Sequence, residues 1–121
     1  MINTIIWIAC FLGVLVIPVV IIILGKIFRD NPPKEINGIK GYRTKRSMAS
    51  QEAWDYANRL MGKIYFIVGI CLLAVTVIVH CLFFKAQPIA IAIETFALVT
   101  VQSVAIALCS IPVEKSLKEK F

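Results

Sequence analysis

Charge is what this sequence has least of. Only 17% of its 121 residues are Asp, Glu, Lys or Arg, and none of these occurs between Ile2 and Gly25. With a mean hydropathy of +0.86, such a chain cannot clothe a water-soluble core, which excludes a soluble domain. Histidine is nearly missing, with His80 alone, and Cys10, Cys71, Cys81 and Cys109 form no Cys-x-x-Cys pair. Clustered zinc ligands are therefore excluded, and neither a metal nor another cofactor is expected. There is no Ser/His/Asp set and no phosphate-binding glycine loop, so an enzyme is not expected either. The cysteines read as small buried hydrophobes. Cys10 and Cys81 fall toward the same membrane side, where a disulfide is chemically permitted.

What the chain does have is three long apolar runs, at residues 2–25, 64–84 and 88–111. A hydrocarbon layer of about 30 Å is crossed by about 20 apolar residues in a helix, because only a helix satisfies its own backbone there. Each run meets that length. The expected fold is all-α: one domain over residues 1–121, an integral membrane three-helix bundle with a loop at 26–63 that contains a short amphipathic helix. Pro18 predicts a kink in the first span. That span lacks a basic segment before it and a small-residue cleavage site after it, so it is expected to stay as an anchor.

Orientation follows from the basic residues. All thirteen Lys and Arg except Lys85 lie in the 26–63 loop or after the third span. The positive-inside rule then places the loop and the C-terminus in the cytoplasm and the N-terminus outside. The net charge of +6 is thus gathered on one membrane face. It reads as attraction to anionic lipid headgroups, with no nucleic-acid partner expected. Three spans bury little surface between them, which makes a homo-oligomer a further expectation.

The loop opens with Asp30-Asn31-Pro32-Pro33, a cluster that ends the first helix. Ser50 is a suitable N-cap for a second helix, with Glu52 and Asp55 in its first turns. Trp54, Ala57, Leu60 or Met61, Ile64 and Tyr65 recur on one face, so an amphipathic helix leads into the second span. If continuous to Phe84 it would be about 52 Å long, beyond the bilayer core, and Gly62 is its expected bending point. Trp54, Tyr56 and Tyr65 suit the headgroup zone.

The densest motif runs from Asn37 through Gly38, Gly41-Tyr42-Arg43-Thr44 and Ser47, with Trp54, Asn58 and Gly62 following. Gly41 permits a tight turn, Arg43 and Arg46 offer planar donor forks, and Thr44 and Ser47 can cap or bind an oxyanion. Either Arg43 pins the loop by pairing with Glu52 or a helix carbonyl, or the loop holds a lipid phosphate or a specific ligand. Here the sequence resembles the SdpI/YfhL family, bacterial membrane proteins whose shared segment has a G-[IY]-R-T core, a following Ser, then Trp and a small or polar position leading into a span. The resemblance implies a short three-span form in the bacterial plasma membrane. It also implies immunity or resistance to a membrane-acting peptide toxin, and with it a peptide toxin as partner.

Inside the third span Glu94 is the lone charge, and a carboxylate in hydrocarbon costs about 2.5–3.5 kcal/mol on insertion scales. His80 is its candidate partner. At the helical rise the two lie about 9 Å and about 12 Å below the outer turn. The alternative is a neutral Glu94 bonded to another helix group. Gln102 shares a face with Thr95, as interhelical glue or as part of a path. Two further functional readings stay open: a small oligomeric transporter built around Glu94 and Gln102, and a signalling module that recruits a cytoplasmic regulator through the basic loop.

Overall fold

A computed structural model describes all residues, 1–121. It is entirely helical: α1 spans Ile2–Asp30, α2 Gln51–Leu82, α3 Pro88–Leu108 and α4 Ser110–Lys120. Three helices are long and apolar enough to cross a membrane, the last being α3 continued into α4. At about 1.5 Å per residue α1 and α2 are about 44 and 48 Å long, so both outrun the hydrocarbon at the basic end. The helix α1 stops where Asn31, Pro32 and Pro33 follow, and α2 starts where the Ser50 Oγ accepts the Ala53 N–H at 3.0 Å.

Packing in lipid depends on close approach, because lipid chains are as apolar as leucine. The α1–α2 pair supplies it through glycines. A Cβ on Gly25 would stand 2.5 Å from the Phe66 nitrogen and 2.8 Å from the Gly62 carbonyl oxygen, and one on Gly62 would overlap the Arg29 backbone. Helix α2 runs uninterrupted through this point. Gly62 is therefore the seat of a helix crossing, where the sequence alone pointed to a bend. The pair is tied off by Arg59, whose Nη1 donates to the Arg29 carbonyl at 3.2 Å, an orphan acceptor in the last turn of α1.

The third predicted span is broken at Cys109. Pro112 has no N–H for the Leu108 carbonyl, and the chain restarts as α4. This helix, unforeseen in the tail, lays Val113 and Leu117 against Ala53, Ala57 and Met61 of α2 and forms a small apolar core with Cys109. The buried α2 face includes Met61 in preference to Leu60, which is half-buried. All four cysteines are free thiols.

Candidate functional site

Polar groups gather at two places along α2. The first is inside the apolar layer, near the end that carries little charge. His80 is fully buried, and its Nδ1 lies 2.9 and 3.1 Å from the two Glu94 carboxylate oxygens. Its Nε2 is 3.0 Å from the Trp7 carbonyl oxygen, while the Trp7 indole N–H donates to the His80 carbonyl at 2.9 Å. A carbonyl only accepts, so Nε2 carries a hydrogen and Nδ1 faces the carboxylate. An imidazole bonded to a carboxylate through one hydrogen is neutral as a unit, which is the state hydrocarbon tolerates. The imidazole also stacks with Trp7 and Phe11, at centroid distances of 4.8 and 5.1 Å.

About two helical turns further along α3, Gln102 joins all three spans. Its Nε2 donates to the Val14 carbonyl at 3.0 Å and to Thr76 Oγ1 at 2.9 Å. The Val14 carbonyl is the one that Pro18, four residues on, cannot bond. A side chain on α3 thus satisfies the backbone group that proline releases in α1, as membrane helices with internal proline require. Thr95 reaches Glu94 only at 3.5 Å, and Thr100 bonds its own helix at the Phe96 carbonyl.

The second place is the basic end, where the motif loop lies on α2. The indole of Trp54 is completely buried and donates to the Pro33 carbonyl at 2.7 Å. That bond is why the ring can leave the headgroup zone and serve as the floor of the loop. Asn58 accepts the Tyr42 N–H at 2.6 Å and donates to the Trp54 carbonyl at 2.9 Å. Gly41 has φ +109° and lies so close that a Cβ would stand 2.8 Å from Asn58 Oδ1 and 3.0 Å from the Trp54 ring. Only glycine meets both demands. Asn37 closes its own turn by accepting from Ile39 and Lys40, and Gly38 offers the carbonyl to which Arg43 Nη1 donates.

Thr44 and Ser47 cap each other reciprocally: Ser47 Oγ accepts the Thr44 N–H at 2.8 Å, and Thr44 Oγ1 accepts the Ser47 N–H at 3.1 Å. The Ser47 hydroxyl is committed to backbone as donor and acceptor, and the Thr44 oxygen as acceptor. Arg43 is exposed and pairs with a loop carbonyl, neither with Glu52 nor with a helix carbonyl. The motif is therefore mostly a device for seating a loop on a helix, with Arg43, Lys45 and Arg46 left pointing at the surroundings.

The structure brings His80 and Glu94 together and joins Gln102 to Thr76, but the two polar groups lie at different depths. Trp7 and Thr76 were missed by sequence reasoning. Trp7 acts through its carbonyl as much as its ring, and a carbonyl leaves no mark in a sequence. Pro18 was a legible signal of a different kind, since it names Val14 as the carbonyl that needs a donor.

Comparison with known proteins follows the same regions. A model of the SdpI/YfhL protein family matches residues 34–113, which takes in most of the loop, α2, α3 and the start of α4. The uncharacterized protein YfhL of Bacillus subtilis (strain 168) is 43% identical over 49 residues, 40% of this chain and 44% of that relative. The matched stretch thus spans less than half the relative's length, and no solved structure matches. Since the family match covers the greater part of the chain, including Gly41 and Tyr42 where they seat on Trp54 and Asn58, the chain belongs to the SdpI/YfhL family.

Proposed function

We propose that this protein confers immunity or resistance to a membrane-acting peptide toxin, without catalysis, either by binding the peptide in the bilayer or by protecting the lipid around it. Membership of the SdpI/YfhL family carries the reading, together with the resemblance of its loop motif to that of toxin-immunity proteins. The interior supports it. Glu94, His80, Thr76 and the donors of Gln102 are bonded to each other and to α1 carbonyls, an arrangement suited to holding helices together.

In the same proposal the basic loop and α4 face the cytoplasm and anionic headgroups, and a second copy packs alongside in the membrane. In a cysteine-free background, a membrane-impermeant thiol reagent applied outside should label Gln87→Cys and spare Ser116→Cys. The reverse pattern would refute the orientation. Function is tested by expressing the chain in a sensitive bacterium and following membrane potential under a panel of depolarising bacterial peptides. Protection against at least one is expected. Unchanged depolarisation by every peptide, with the chain present in the membrane, would sink the reading.

A second reading is a permeation subunit, favoured by the buried contact of His80 Nδ1 with the Glu94 carboxylate at 2.9 Å. Glu94→Gln separates the two, because the amide is nearly isosteric and cheaper to bury. Glue predicts that this variant keeps protection and that wild-type liposomes pass no pH-dependent current. Robust wild-type flux that disappears in Glu94→Gln would promote permeation over immunity.

A further inference from the structure

The seam between the loop and α4 holds an arrangement that neither the toxin reading nor the family motif uses. Lys45, Arg46 and Ala49 from the loop and Glu114 from α4 line a cleft of about 430 Å³. Both cations are exposed, and the ion pairs of the chain are Arg29–Asp30 and His80–Glu94, so Lys45 and Arg46 do not neutralise Glu114. Glu114 Oε2 is closed off from water yet has no hydrogen-bond partner, and the same is true of the Tyr42 phenol oxygen. Burial pushes the Tyr42 pKa up to about 12, with the nearby Glu114 carboxylate adding to the effect. The phenol is therefore a neutral O–H at any physiological pH. The phenol and Oε2 face each other inside the protein, which leaves Glu114 Oε1 as the carboxylate oxygen open to the cleft.

Depth identifies the surroundings. Glu114 follows Ile111, the last residue of the third apolar run, by three positions, about 4.5 Å along a helix, which is headgroup level. Below it Leu108 and Ile111 are exposed and suited to lie against acyl chains. A simple anion is a poor match, because Glu114 repels it; a simple cation is repelled by Lys45 and Arg46. The ligand that satisfies both carries a phosphodiester and, a few ångströms away, a cation with N–H donors.

We propose that this cleft binds the headgroup of a primary-amine phospholipid, with Lys45 and Arg46 on the phosphate and Glu114 on the ammonium. Phosphatidylcholine, whose ammonium has no N–H, fits the phosphate half only. Phosphatidylglycerol offers hydroxyls in place of the cation. Charge-assisted hydrogen bonds are the strong ones, so the ethanolamine lipid is held best.

The test is native mass spectrometry of the full chain in detergent, with phosphatidylethanolamine, phosphatidylglycerol and phosphatidylcholine of matched chains added in turn. The ethanolamine lipid should bind about tenfold more tightly than the choline lipid, as the loss of one charge-assisted hydrogen bond implies. Glu114→Gln should abolish that preference, and Lys45→Gln with Arg46→Gln, at exposed positions the fold does not need, should weaken all three lipids. Equal binding of ethanolamine and choline lipids, strongest binding of phosphatidylglycerol, or an intact ethanolamine preference in Glu114→Gln would each overturn the proposal. Soluble glycerophosphoethanolamine separates the sources: displacement at equal concentration supports a free headgroup ligand, and its failure supports the bilayer lipid.

Discussion

The two ends of α2 solve the same problem, a buried polar side chain, in opposite ways. Toward the end that carries little charge, His80 bonds Glu94 of α3 and the Trp7 carbonyl of α1, so one imidazole joins three helices. Toward the basic end Asn58 bonds two backbone groups, one in its own helix and one in a loop. The difference follows from what lies beyond the protein. In hydrocarbon nothing outside can complete a missing bond, so partners must come from other spans. At the basic end water lies close by, and a loop lost from Asn58 finds substitutes. The interior bonds should therefore behave as global stability elements and the loop bonds as local ones.

His80→Ala is the sharpest way to break this comparison and should have the largest effect. It leaves the Glu94 carboxylate without its partner in the apolar layer, a change that costs about 3–5 kcal/mol when a buried pair is broken from one side. Unfolding in a graded denaturing detergent should show that loss for the whole helical signal. The double variant His80→Leu with Glu94→Leu should recover most of it, since removing both polar groups removes the penalty. A single variant as stable as wild type would show that the pair is not what holds α3 to the other spans.

Asn58→Ala is the counterpart at the basic end, with a smaller and local effect expected. The Tyr42 N–H and the Trp54 carbonyl each lose a partner, which costs about 1–3 kcal/mol where the group stays buried. Hydrogen exchange should rise over residues 37–47 while exchange in the lower part of α2 and in α3 stays at the wild-type rate. A uniform rise through every helix would erase the contrast between the two ends.

The legible part of this molecule is the part that depends on sums. Three apolar runs, the Ser50 cap and the Asp30-to-Pro33 stop are visible because each rests on neighbouring residues, and the structure has helices where they indicate. Helix α4 is different. Its apolar face is Val113 and Leu117 within a lysine-rich tail, too little to stand out until α2 is there to meet it. Trp54 was legible as apolar but not as buried, because its fate turns on the Pro33 carbonyl twenty-one residues away. Gly62 carried the right signal, that something special happens there, and the wrong physical reason. A glycine that bends a helix and one that admits another helix look the same in one dimension.

The smallest expected effect on stability belongs to Arg43, and it decides what the motif is for. From its five donors the residue could anchor the loop by binding several acceptors. In the fold it is exposed and donates through Nη1 to the Gly38 carbonyl. An exposed bond of this kind is worth about 0.5–1.5 kcal/mol, so Arg43→Ala should express normally and melt within a few degrees of wild type. Asn58, Trp54 and Gly41 already hold the loop. If Arg43 matters, it matters through what its free donors meet outside the chain, and the proposed protection should fall while stability does not. Arg43→Lys keeps the charge and loses the planar fork, so it should restore protection poorly if the partner is bidentate and fully if only charge is read. A parallel fall of stability and protection in Arg43→Ala would return the residue to the seating device formed by Trp54 and Asn58, and the contrast between a held loop and its free arginine would collapse.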